Sequence, residues 1–167
     1  MALLILTAVA IAAAVLDPPP DPVSGPARAS DGDSFRLNDQ RVRLLGIDAP
    51  ELAQMCTDEQ SQPWPCGRRA RDHMAALLAS GEVDCRPEDI DQFDRLLSVC
   101  TVGGVDLAAT MVAEGLALSA GRYGQEEARA RQARLGIWRG GFERPRDWRD
   151  DHPRARTGWN LPLLNIW

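Results

Sequence analysis

No stretch of this sequence narrows the choice of fold as sharply as Arg41-Val42-Arg43-Leu44-Leu45-Gly46-Ile47-Asp48-Ala49-Pro50-Glu51. Its first half has the pattern of a strand. Val42 and Leu44 fall on one face and Arg41 and Arg43 on the other, because side chains alternate along a pleated backbone. Leu45 and Ile47 then make both faces apolar, as expected where a strand runs through a core. Pro50 cannot donate to a strand ladder and restricts Ala49, so the strand should stop there. Asp48 and Glu51 are thus placed at a strand end, with Arg43 a little way back on the same strand. Two carboxylates and a guanidinium on a rigid element suit a hard cation plus a phosphate. The plainer alternative is a strand with a surface arginine followed by an acidic turn.

At 167 residues the chain has room for one domain of ordinary size plus its ends. A formal net charge of −5 excludes a broad basic surface that grips nucleic acid by charge alone. The basic residues are nevertheless all arginine, and from Arg122 onward ten arginines face six acids. Such a face is compatible with a polyanion, although a solvated helix face is the commoner origin of a charge run.

Residues 2–16 are apolar apart from one threonine, short for a membrane-spanning helix and close to the apolar region of an export signal. The proline run of 17–22 reads as a stiff spacer. Residues 1–16 are therefore expected to be a signal peptide or short membrane anchor, and 17–22 a linker. A weak strand, broken by Gly25 and Pro26, covers 23–30. Asp31-Gly32-Asp33 is a turn, and 34–48 should form a hairpin around Asn38-Asp39-Gln40. The pattern leaves open whether Asp33 lies at the end of the hairpin that carries Asp48. Helical spacing covers 67–80, with Gly81 as the stop. It includes His73, a lone histidine expected to be structural. Strands over 82–86 and 93–101 are separated by an acidic loop. Asp106 should cap a helix over 107–114, and 125–135 should form an arginine-bearing helix. Residues 150–167 carry no pattern.

Four cysteines allow three pairings. No C-x-x-C spacing and only two histidines argue against a zinc site. Cys56 and Cys66 flank one loop, while Cys85 and Cys100 fall on two strands expected to be antiparallel neighbours. Locality therefore gives the bridges Cys56–Cys66 and Cys85–Cys100. Disulfides and an apolar N-terminal run both place the domain outside the cytosol, whether periplasmic, secreted or membrane-anchored; four buried, reduced thiols are the alternative.

The order Asp31-Gly32-Asp33-Ser34, Arg43 to Glu51, Asp91-Gln92-Phe93-Asp94-Arg95, Met111 to Gly115 and Gly136-Ile137-Trp138 resembles the staphylococcal nuclease family over about residues 23–149. The resemblance implies an α+β fold, an OB-type five-stranded β-barrel with three α-helices. It also implies a calcium-dependent phosphodiesterase with DNA or RNA as substrate. By the same resemblance Asp33, Asp48 and the Ala49 carbonyl would bind calcium, Glu51 would activate water, and Arg43 and Arg95 would hold the phosphate. The chemistry is coherent, since a repelling phosphodiester needs a cation on one side, bidentate arginines on the other and a carboxylate base.

Three positions depart from the family pattern. Asp94 stands where glycine is usual, Gly121 replaces one of two nucleotide-bordering tyrosines, and Phe93 lacks a hydroxyl. Tyr123 matches the other tyrosine and is the expected substrate-binding residue. Aspartate tolerates positive φ, so the turn at Asp94 should survive. The chain is expected to act as a monomer, with membrane attachment through its N-terminal segment as an option. A non-catalytic OB module binding nucleic acid or protein is the alternative of another class. Such modules typically lose the carboxylates that remain here.

Overall fold

A computed structural model of the chain describes residues 20–152. The segment read as export signal and the first half of the linker lie outside them, as does the tail beyond His152. Among the described residues, no helix is long and apolar enough to cross a membrane.

The chain enters through β1 (Val23–Gly25) and β2 (Ala27–Ala29), two halves of one segment bent at Pro26. A hairpin follows, β3 (Ser34–Leu37) and β4 (Gln40–Leu44), turned at Asn38, which takes a φ of 52°. Then come β5 (Ile47–Asp48), β6 (Cys56–Thr57) and β7 (Pro63–Trp64), and the long helix α1 (Cys66–Leu78). Strands β8 (Val83–Ile90), β9 (Leu96–Val102) and β10 (Val105–Asp106) lead to α2 (Leu107–Ala113). Last come β11 (Leu118–Ser119), α3 (Gly124–Gln132), a 3-10 turn at Gly136–Arg139 and α4 (Pro145–Asp151).

The main sheet has the order β1-β8-β9-β4-β3-β2, with β4 and β9 parallel and the other neighbours antiparallel. Its two ends are β1 and β2, which are joined through Pro26 alone. One bent segment therefore holds both edges, and the sheet curls round as the five-stranded barrel expected of an OB fold. The earlier strand break at Gly25 and Pro26 is the corner of that barrel, where a proline without an N–H costs no ladder bond.

Phe35, Leu37, Val42, Leu44, Val83 and Val102 fill the barrel, and α1 closes one side with Ala70, Met74 and Leu78. Those three recur every fourth residue, the spacing that keeps one helix face inward. The side chain of Asp106 caps α2 by accepting from the Ala109 N–H at 3.0 Å, as its position foretold. A smaller core joins Cys56, Cys66, Leu118 and Ile137.

Both disulfides pair as locality suggested. Cys56–Cys66 ties β6 to the start of α1, and Cys85–Cys100 links directly opposed residues of β8 and β9.

Four expectations need correction. The strand begun at Arg41 does not run through Ile47. It breaks at Gly46, whose φ of 77° turns the chain, and Asp48 belongs to β5, paired with β11. The residues Glu88 and Asp89, expected in an acidic loop, extend β8, so the turn is only Asp91 to Arg95. Strand β9 accordingly starts at Leu96 rather than Phe93. Finally, the described residues contain four α-helices rather than three: Pro145 opens α4 at a first-turn position, where its missing N–H is not needed. This helix runs through Asp150 and Asp151, across the boundary where the domain was expected to end.

Candidate active site

The break at Gly46 decides where the acidic residues go. Leu44 N–H donates to the Asp33 carbonyl at 2.9 Å, so Asp33 lies beside the end of β4 from which the chain turns towards Asp48. The question left open by the pattern is thereby answered: Asp33 and Asp48 share one end of the hairpin. The Arg43 side chain spans the two, with Nη1 2.9 Å from Asp33 Oδ1 and Nη2 3.2 Å from Asp48 Oδ1. The other Asp33 oxygen accepts from the Ala49 N–H at 3.0 Å. Asp31 closes the turn by accepting from the N–H groups of Asp33 and Ser34 and from the Ser34 hydroxyl.

Asp33 is 3% exposed. Burial pushes its carboxyl up to about 8, against the pull of the Arg43 guanidinium, and the nearby Asp31 adds to the rise. A buried oxygen donor whose charge is only partly offset is the chemistry a hard cation completes. The oxygen donors of Asp33, Asp48 and the Ala49 carbonyl therefore fit such an ion by type. By geometry the carboxylates are differently engaged: among the described residues no three acidic, histidine or cysteine side chains stand together as a ready cage. Guanidiniums bridge the carboxylates instead.

Glu51 follows Pro50 and is fixed from two directions. Its N–H donates to Gln54 Oε1 at 3.1 Å, while Gln54 Nε2 donates to the Glu143 carbonyl at 2.7 Å. Gln54 is fully buried, so this one amide locks the Glu51 loop to the segment leading into α4. On the other side, Gly67 of α1 lets the Glu51 backbone come close. A Cβ at Gly67 would lie 1.7 Å from the Glu51 carbonyl oxygen.

From α4 comes Arg149, which the sequence reading gave no role. Its Nη1 stands 2.9 Å from Asp48 Oδ1 and 3.0 Å from Glu51 Oε1, and its Nη2 3.3 Å from Asp48 Oδ2. Burial works against its charge, but the bonds to Asp48 and Glu51 outweigh that and hold its pKa above the ordinary value.

Arg95 is the last residue of the β8–β9 turn. Its Nε and Nη2 both lie 2.7 Å from Asp91 Oδ2, which orients the guanidinium and leaves further N–H groups free of that bond. Burial would raise the Asp91 carboxyl, but the hydrogen bonds from Arg95 and from the backbone N–H groups of Arg95 and Phe93 hold it below the usual range. Asp94 takes a φ of 58°, so the turn survives without glycine. Its carboxylate is almost fully exposed and 3.5 Å from Arg41.

Arg43, Glu51, Arg95 and Arg149 line one cleft of about 780 Å³, with Asp31, Asp91, Phe93, Trp148 and His152 on its walls. Tyr123 is not among the lining residues; its hydroxyl lies 3.1 Å from Asp106 Oδ2 and its ring packs on the core. His73 faces Glu114 at 3.0 Å, away from this cleft. Sequence reasoning gave no role to Gln54 or Arg149, and named Asp91 only as the first residue of the Asp-x-x-x-Arg motif. Arg149 had only the proline shortly before it as a signal, in a helix without an apolar period.

Residues 41–140 match the family model described as Staphylococcal nuclease homologue. The succinoglycan biosynthesis protein ExoI of Rhizobium meliloti (strain 1021) is 30% identical over 126 residues, covering 71% of this chain and 66% of that protein. The micrococcal nuclease of Shigella flexneri is 34% identical over 132 residues, with 66% and 70% covered. The probable staphylococcal-like nuclease CAN3 of Oryza sativa subsp. japonica is 31% identical over 123 residues, covering 70% of this chain but 30% of the rice protein. The chain thus spans just under two thirds of the Rhizobium protein and under a third of the rice one. Asp33 and Arg149 lie outside the matched stretch.

Proposed function

The chain belongs to the staphylococcal nuclease family, and from that membership we propose that it is a calcium-dependent nuclease hydrolysing phosphodiester bonds of DNA or RNA. The observation that carries this reading is a cleft lined by Arg43, Glu51 and Arg95, from separate segments, with Asp33 and Asp48 joined to it through the Arg43 guanidinium. The named nuclease relatives support it.

The residues divide the work by their chemistry. Arg43 and Arg95 offer forked N–H donors on a cleft wall, suited to the oxygens of a phosphodiester and to the charge that grows on them during attack. Asp91 keeps the Arg95 fork aimed. Glu51 carries its carboxylate on a loop fixed by the backbone bond to Gln54 and suits removal of a proton from an attacking water. Asp33, Asp48 and the Ala49 carbonyl would hold calcium, which when bound supplies charge neutralisation to the phosphate. Tyr123 contributes to substrate binding only if its bond to Asp106 opens. Export of the domain is supported by the two disulfides.

The test is a digest of plasmid DNA and of RNA by the purified full chain, with calcium and with chelator. Cleavage should require calcium and should fall about 100- to 10,000-fold in kcat for Glu51→Gln. Arg43→Lys should be similarly severe, because an ammonium cannot reproduce the fork that spans two acidic side chains. Chelator-resistant cleavage, or full turnover in Glu51→Gln, would refute the assignment.

A further inference from the structure

The C-terminal helix brings a second guanidinium to a cluster that already has one. Arg43 reaches Asp33 and Asp48; Arg149 reaches Asp48 and Glu51. One nitrogen of Arg149, Nη1, contacts an oxygen of each of its two carboxylates at about the same distance. A cation bound by Asp48 beside Glu51 would compete with that nitrogen for the Asp48 carboxylate.

We propose that Arg149 is a positioning residue that stands in for the cation, holding Asp48 and Glu51 together until calcium arrives and then giving way to it. The inference rests on the reading in which these carboxylates serve calcium and the attacking water.

Three observations support it. Calcium takes oxygen ligands at about 2.3–2.6 Å, closer than the N–H donors of Arg149 now stand, and along the same lone pairs. A guanidinium and a dication on the same oxygens would repel at short range, where solvent screens little. Withdrawal is also sterically simple: Arg149 is about one-third exposed, on a helix of seven residues near the end of the described chain. The anchor between Gln54 and Glu143 lies upstream of the helix, so the side chain can leave without undoing the fold. Meanwhile the arginine does a second thing. It offsets the mutual repulsion of Asp48 and Glu51, so the site stays assembled with no metal bound. The consequence is a raised calcium threshold.

Calcium titration of the metal-free full chain by isothermal calorimetry decides the matter. Arg149→Gln and Arg149→Ala should each bind calcium about tenfold more tightly than the wild type, because the internal competitor is gone. Thermal melting gives an independent readout: the rise in Tm on adding calcium should be larger in both variants than in the wild type, since that rise follows affinity. If the wild type binds calcium and both variants bind it no more tightly, this inference falls and the nuclease reading stands. Absence of calcium binding in the wild type as well would overturn both.

Discussion

Tyr123 is the single tyrosine of the chain, and its placement separates what a residue resembles from what it does. By resemblance it is expected to border the nucleotide; in the structure its hydroxyl is committed to Asp106, whose other oxygen caps α2. Burial, and then the charge of Asp106, push the phenol up to about 12. A raised phenol pKa means the folded state retains the proton longer than the unfolded chain. The associated stability is complete below pH ~10 and is lost as pH climbs from ~10 towards ~12. With one tyrosine, phenolate absorbance reports this group directly. Its midpoint should lie near 12 in the folded protein and drop towards 10 in Asp106→Asn, which keeps the helix cap but not the charge. A midpoint near 10 in the unaltered protein would mean that the Tyr123–Asp106 bond does not hold in solution.

Between elements, the tightest constraint on the site is the contact of α1 with the Glu51 loop. Gly67→Ala would put a methyl carbon within bonding distance of the Glu51 carbonyl, so either the helix or the loop must shift. Overpacking of this kind typically costs about 1–3 kcal/mol. We expect a matching loss in denaturant stability, with kcat reduced more than KM changes, because the loop that moves carries the proposed base. Wild-type activity in a folded Gly67→Ala protein would contradict that coupling. The same comparison shows what the sequence could reveal. Strands with alternating apolar residues, the cap at Asp106 and the bridges between neighbouring cysteines were legible, because each follows from local chemistry. Helix α4 was not: Pro145 to Asp151 is mostly arginine and aspartate, with no apolar stripe to give it a period. Nor could any pattern show that Gln54, 89 residues from Glu143, would bridge the two. The break at Gly46 was hidden by the apolar residues on either side, which read as one uninterrupted strand.

Over the whole molecule, the two disulfides compensate for a core of modest size. Cys85–Cys100 closes a loop of 15 residues and Cys56–Cys66 one of 10. Each should contribute about 3 kcal/mol by restricting the unfolded chain. Denaturant melts of the oxidised and fully reduced protein should differ accordingly; identical midpoints would mean the bridges stabilise nothing. The bridges also bear on how the barrel would fail under load. Any tug transmitted along the residues before Val23 enters the fold at the bent segment that holds both sheet edges. Three residues of β1 on β8 take the strain first, and β2 on β3 only after the corner at Pro26 straightens. Strands β8 and β9, stapled by Cys85–Cys100, cannot be drawn apart. The molecule therefore has a defined seam: pulled from its N-terminal side, it should unzip like a collar while the cluster of Arg43 on β4, Asp48 on β5 and the acids in the turns beside β3 and β5 keeps its shape.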